Sequence, residues 1–323
     1  MKIYITGGSG FIGQHFVKHL ITEGHKPVCL VRSTSNTEEL KKIGAQLVIG
    51  DITDKTSIKG MDGCGYLVHM ASSFEFWVPN NKVFYDVNIV GTRNVMESVL
   101  ENGISKVVYI SSATVYGNAK WPITEETVVG TERAGKYVRT KYEGDLIAWD
   151  LYEKSKLPLV VVYPSALVGA NDPKACGRYF INYAEGRMPA QVLTKHPFPF
   201  VHVKDVAEVI VRALEKQNNI GEKYIVSAEN PTFGELNQMI RKISGTKLPI
   251  IKLPDWATSM TSYLVTGIAN LIRKPPIWDL SIDQVELMKQ GFIIDGSKVE
   301  RGLGIKYTSV YDGIKESIES LQE

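Results

Sequence analysis

Short apolar runs rich in β-branched residues recur along the 323-residue chain, separated by stretches whose apolar positions fall at helical spacing. The runs are Ile3–Thr6, Pro27–Arg32, Gln46–Asp51, Tyr66–Ala71, Lys106–Ser112 and Leu159–Pro164. Their apolar residues follow one another instead of alternating with polar ones, so both faces of each strand are covered. That pattern belongs to parallel strands with helices on each side. It predicts an α/β fold built on a doubly wound parallel sheet.

From Ser165 onward, glycine and proline breaks shorten the helices. Phe200–Val203 and Lys223–Val226 still read as strands and are predicted to rejoin the first sheet. The reading assigns residues 1–164 and 197–228 to a nucleotide-binding domain. Residues 165–196 and 229–323 form a smaller, discontinuous C-terminal substrate lobe.

Within that lobe Trp256, Met260, Tyr263, Leu264, Ile268, Leu271 and Ile272 share one helical stripe, predicted to face the core or cap a substrate. Thr258, Ser259, Thr261, Ser262, Thr266 and Asn270 interrupt the segment too often for a bilayer span. Lys252, Arg273 and Lys274 give little basic charge for a helix lying on a membrane.

Apolar residues at 44% and charged residues at 22% describe an ordinary globular chain. Lys and Arg number 37 against 35 acidic residues, so no broad positive field exists to attract nucleic acid. Cys29, Cys64 and Cys176 have no paired spacing, which argues against a disulfide framework and a zinc site. His15 and His19 lie four apart but lack a third ligand, and His69 and His202 read as core or cofactor-adjacent residues. The N-terminus enters a strand directly, which predicts a soluble protein of a reducing cytoplasm with no metal site.

The first strand ends in Thr6-Gly7-Gly8-Ser9-Gly10-Phe11-Ile12-Gly13, with Phe16, Val17 and Leu20 continuing at helical spacing. Gly7 and Gly10 allow a tight turn against a pyrophosphate, Gly13 allows close helix–strand packing, and the helix N-terminus supplies N–H donors. This strand–turn–helix context predicts a Rossmann-type dinucleotide site. About twenty residues on, where an NAD site carries an acid, the chain has Arg32, followed by Ser33 and Ser35. A guanidinium pairs with a 2′-phosphate, so NADP(H) is predicted over NAD(H). Asp51, ending the third strand, is placed near the adenine.

Tyr137 and Lys141 lie four apart on one helix face, with the lysine supplying a cation that would favour the ionised tyrosine. Ser112 ends the fifth strand at the sheet's carboxyl edge, where ligands bind in such folds.

Together with Asn88-Ile89-Val90-Gly91-Thr92 and Ser111–Gly117, these motifs resemble the ordered set of extended short-chain dehydrogenases/reductases over the first two-thirds of the chain. Leu30-Val31-Arg32, His69-Met70-Ala71 and Gly186–Pro189 are similar to dihydroflavonol-reductase-like and hopanoid-associated epimerase-like members. The resemblance implies that Tyr137 is the acid/base, Lys141 its pKa modifier and ribose contact, and Ser112 the donor to a carbonyl oxygen. It also implies cofactor contacts by Gly7, Gly10, Phe11, Ile12, Gly13, Ile52, Ala71, Asn88 and Pro164.

For the substrate, Ser73, Phe74, Trp77, Ser112 and Tyr179 are the predicted contacts. Phe74, Phe76 and Trp77 follow the fourth strand, while Pro199 stands where the resembling sugar-nucleotide enzymes usually carry an arginine. The expectation is an NADPH-dependent reductase of a mainly apolar or aromatic small-molecule carbonyl, acting as a monomer or homodimer. A nucleotide-sugar epimerase or dehydratase and a non-catalytic dinucleotide-binding protein are the alternatives.

Overall fold

A computed structural model describes residues 1–322. Seven parallel strands form the central sheet: β1 (Lys2–Thr6), β2 (Lys26–Val31), β3 (Gln46–Ile49), β4 (Tyr66–His69), β5 (Lys106–Ile110), β6 (Leu159–Pro164) and β9 (Lys223–Val226). They are ordered β3-β2-β1-β4-β5-β6-β9. The order reverses between β1 and β4, the point at which a ligand crevice opens in doubly wound folds.

The period-two geometry of a strand divides the core. Tyr4, Leu67, Val107, Tyr109, Leu159 and Val161 pack on one face, while Ile3, Ile5, Val68, Val108, Val160 and Val162 pack on the other. The second face is covered by α1 (Phe11–Thr22) through Phe16, Val17 and Leu20. The short α2 (Glu38–Lys42) and α3 (Lys82–Tyr85) lie in the next crossovers. The first face is covered by α4 (Thr92–Glu101) and α5 (Gly135–Ser155), with Val95, Met96, Val99, Val138 and Ala148 buried. Such double coverage is why the strands read as continuous apolar runs.

The remaining elements are β7 (Ala166–Val168), α6 (Ala175–Ala184), β8 (Phe200–His202), α7 (Val203–Glu215) and α8 (Phe233–Ser244). They are followed by α9 (Asp255–Ile272), α10 (Ile282–Gln290), α11 (Ser297–Leu303) and α12 (Val310–Gln322). α7 packs beside α1, and His19 pairs with Glu208 across that contact at 3.0 Å.

Two sequence expectations are corrected here. Residues 200–203 do not rejoin the main sheet: β8 pairs with β7 in a separate two-stranded parallel ribbon, and Val203 already opens α7. The outer edge of β6 is taken by β9, in the register Val161↔Lys223 to Pro164↔Val226, so no main-sheet edge is left for β8 there.

The apolar stripe of α9 faces solvent instead of the core. Its buried residues are Thr258, Ser262 and Ala269. The Thr258 and Ser262 hydroxyls donate to the carbonyls of Pro254 and Ser259, which satisfies them without outside partners. Small side chains on this face suit close packing on α10, where the Ile282 N–H donates to Thr266 Oγ1 at 2.9 Å.

Candidate active site

The turn after β1 leaves no room for side chains. Gly7 has φ +78°, and a Cβ there would stand 2.5 Å from the Ala71 nitrogen. A Cβ on Gly13 would stand 2.2 Å from the Gly7 carbonyl oxygen. The Gly10 N–H donates to that same carbonyl at 3.0 Å, and Gly10 caps α1 without a side-chain cap. The helix therefore presents its positive end and backbone donors to a bare backbone cradle, a geometry that fits the diphosphate of a dinucleotide.

Gly7, Gly10, Phe11, Ile12 and Gly13 line a cavity of about 280 Å³ that also contains Ser112, Tyr137, Lys141 and Pro164. The glycine cradle and the predicted catalytic groups thus open into one space.

Around the cradle, Arg32 and Ser33 are exposed beyond the end of β2. The Arg32 guanidinium makes no ion pair or hydrogen bond among the described residues. Asp51 accepts from the N–H and the hydroxyl of Thr53, both at 2.9 Å, while Asp54 caps the short 3₁₀ turn Lys55–Ser57. Ile52 is buried against Gly91, where a Cβ would meet its Cδ1 at 2.6 Å.

Asn88 is buried in a π-helical turn, Asp86–Gly91. Its Oδ1 accepts from the Ser73 N–H at 2.8 Å and the Ser72 hydroxyl at 3.0 Å, while Nδ2 donates to Thr140 Oγ1 at 3.1 Å. Asn88 therefore ties the loop after β4 to α5. A single π turn at such a junction is a common feature of functional sites.

Ser112 caps the 3₁₀ turn Ala113–Tyr116, with its hydroxyl 2.8 Å from Thr114 Oγ1. Tyr137 stands in the first turn of α5, and Phe74 and Phe76 meet its ring edge-on at centroid distances of 4.9 and 6.2 Å. Burial pushes the Tyr137 phenol up to about 12, with hydrogen bonding to Ser112 drawing it back.

The ammonium of Lys141 donates to the Ile110 carbonyl at 3.0 Å and to the Tyr109 hydroxyl at 3.3 Å. Burial lowers this lysine to about 8, opposed by Asp145. The expected lowering of Tyr137 by Lys141 is not found: burial raises the phenol, the opposing influence comes from Ser112, and the ammonium is held against β5. At neutral pH Tyr137 keeps its proton.

Behind these groups lies a buried polar layer in which the sequence reading named His69 but not Asp145. Asp145 accepts from the Tyr163 hydroxyl at 3.1 Å, and burial raises its carboxyl to about 6. The His69 ring stacks on Tyr109 at 5.4 Å, and its two nitrogens lie 2.6 Å from Thr6 Oγ1 and 3.2 Å from Thr92 Oγ1. Burial holds His69 down to about 3, so it stays neutral. One signal was available: Asp145 is four residues beyond Lys141 on the face that meets the sheet.

The far wall of the cavity is apolar, formed by Phe74, Phe76, Tyr179, Phe180, Phe198, Phe200, Phe233, Leu236, Leu287 and Met288. The Tyr179 hydroxyl is already committed to Asn237 Oδ1 at 2.7 Å. Two predicted substrate residues, Ser73 and Trp77, do not line the cavity. The backbone of Ser73 is held by the Asn88 side chain, and the Trp77 indole donates to Asn270 of α9 at 2.9 Å. Near the rim, Lys174 pairs with Glu75 at 2.5 Å and Arg178 with Asp279 at 2.9 Å.

A parallel seven-stranded sheet, a glycine cradle at its switch point and a Ser–Tyr–Lys set over its carboxyl edge define an enzyme of the extended short-chain dehydrogenase/reductase class. The model of the NAD dependent epimerase/dehydratase family matches residues 3–227, and the chain belongs to that family.

The chain is 26% identical to a putative dihydroflavonol 4-reductase of Synechocystis, over 99% of this chain and 94% of the relative. It is 29% identical to sterol demethylase protein B of Methylococcus capsulatus, over 100% and 99%. The solved structure of gox2253 superposes with a TM-score of 0.85 at 30% identity, covering 99% of this chain and 97% of that one.

Proposed function

We propose that the protein is an NADPH-dependent reductase of a ketone or aldehyde borne on a mainly apolar or aromatic molecule. The observation that carries this reading is the single cavity in which the glycine cradle, Ser112, Tyr137 and Lys141 meet a wall of aromatic and aliphatic side chains. A nucleotide-sugar diphosphate would need several charge-assisted donors to offset its desolvation. Here the cations near the rim, Lys174 and Arg178, are already paired with Glu75 and Asp279. The dihydroflavonol and the sterol in the names of two relatives fit such a wall.

In this reading residues 1–164 with 197–228 carry the cofactor, and residues 165–196 with 229–323 supply most of the substrate wall. Gly7, Gly10, Phe11, Ile12 and Gly13 hold the diphosphate, Arg32 and Ser33 the 2′-phosphate, and Asp51 with Ile52 the adenine. Ala71, Asn88 and Pro164 shape the reacting end, where Lys141 also meets the ribose. When bound, NADPH supplies the hydride. Ser112 donates to the carbonyl oxygen and fixes its position, and Tyr137 gives its phenolic proton to the alkoxide as it forms. A tyrosine held near 12 is in the protonated form that reduction requires.

The test is an assay of purified protein with NADPH against aryl ketones, aliphatic aldehydes and flavanone-like ketones, run beside a nucleotide-sugar epimerisation assay. Carbonyl-dependent NADPH oxidation is expected with the aryl or flavanone-like ketones. Robust epimerisation without any carbonyl reduction would overturn the proposal.

A further inference from the structure

α9 is built the wrong way round for a helix that belongs wholly to the protein. Among its 18 residues the small and hydroxyl-bearing Thr258, Ser262 and Ala269 are buried. Trp256, Met260, Tyr263, Leu264, Ile268 and Leu271 are between 54% and 85% exposed. A contiguous apolar face of this kind on the outside of a folded chain marks a contact surface.

Charge selects the partner. From Trp256 to Ile272 the helix carries no charged residue. The one acid, Asp255 at its start, is engaged by His196 at 2.9 Å. Cations stand at both ends, with Lys252 before the helix and Arg273 and Lys274 after it. All three are exposed, and their side chains have no hydrogen-bond or ion-pair partner among the described residues.

Apolar side chains along one face, a tryptophan and a tyrosine with polar tips, and flanking cations are the makings of a helix that lies in a membrane interface.

We infer that α9 docks the protein on the surface of a phospholipid bilayer, its apolar face among the acyl-chain boundary and its terminal cations on anionic headgroups. Among the described residues no helix is long and apolar enough to cross a membrane, so the attachment is peripheral. The low basic charge that weighed against a membrane helix in the sequence is offset by the exposure of the whole stripe. The inference stands on α9 alone and does not depend on the reductase reading.

The experiment is co-sedimentation of the full chain with vesicles of phosphatidylcholine containing phosphatidylglycerol, and with phosphatidylcholine alone. The double variant Leu264→Gln, Leu271→Gln and the double variant Arg273→Ala, Lys274→Ala are measured alongside. Binding to the mixed vesicles is expected, weakening on removal of the phosphatidylglycerol and on addition of salt. The leucine variant should lose at least about tenfold in partitioning, with unchanged circular dichroism because both positions are exposed. The cation variant should lose the preference for anionic vesicles. Absence of wild-type binding to either vesicle would overturn the inference. So would a wild-type dimer in light scattering that the leucine variant converts to monomer, because the face would then be covered by a second copy.

Discussion

Tyr137→Phe is expected to bind NADPH with near-normal affinity while losing about a hundred- to ten-thousandfold in kcat, the usual worth of one positioned proton donor. The substitution removes a single hydroxyl. The ring remains gripped by Phe74 and Phe76, so the fold and the cavity wall persist. Cofactor titration and steady-state kinetics on the same preparation separate the two effects, and wild-type turnover would remove Tyr137 from the chemistry. The wild-type pH profile carries a second check. Lys141, proposed to hold the ribose, is lowered to about 8, so reduction should weaken above about pH 8 as this ammonium loses its proton, while Tyr137, near 12, keeps its own. A profile flat to pH 10 would mean that the charge on Lys141 does not matter.

Arg32→Asp is expected to cost roughly ten- to a hundredfold in NADPH affinity, the equivalent of about 1.5–3 kcal/mol for charge-assisted hydrogen bonds. NADH affinity should hold or rise, since a carboxylate at this position accepts from a free ribose 2′-hydroxyl. The exposed guanidinium has no ion-pair partner among the described residues, so its replacement should leave stability unchanged. Fluorescence titration with both cofactors decides the matter, and an unchanged NADPH to NADH ratio would remove Arg32 from cofactor selection.

The seven main-sheet strands and the glycine cradle were legible because each is a local pattern. Runs such as Val107–Ile110 and Leu159–Val162 are apolar at every position since both sheet faces are covered, and Gly7 to Gly13 fall within seven consecutive residues. Less local features were not. A strand pattern at Phe200–His202 does not say which edge it joins, and β9 had already closed the edge of β6. The stripe of α9 declares an apolar face, but spacing alone does not say whether protein covers it. The apolar cavity wall combines Phe74, Tyr179, Phe233 and Met288, residues far apart in sequence, so of these the sequence reading named only Phe74 and Tyr179. Trp77, adjacent in sequence to Phe76, turns instead to Asn270. Asp145 was passed over as one more polar residue in a long helix, because a carboxylate buried behind Lys141 is visible only once the sheet is in place.

In the proposed reaction NADPH passes its hydride to an apolar carbonyl held in this cavity while Tyr137 supplies the proton. The most direct measurement is mass spectrometry of the product formed from an aryl or flavanone-like ketone with NADPH deuterated at the transferring position of its nicotinamide. One deuterium on the carbinol carbon is the expected result, together with its loss in proportion to turnover in Tyr137→Phe. An unlabelled ketone recovered intact, alongside nucleotide-sugar interconversion with no net NADPH oxidation, would contradict it.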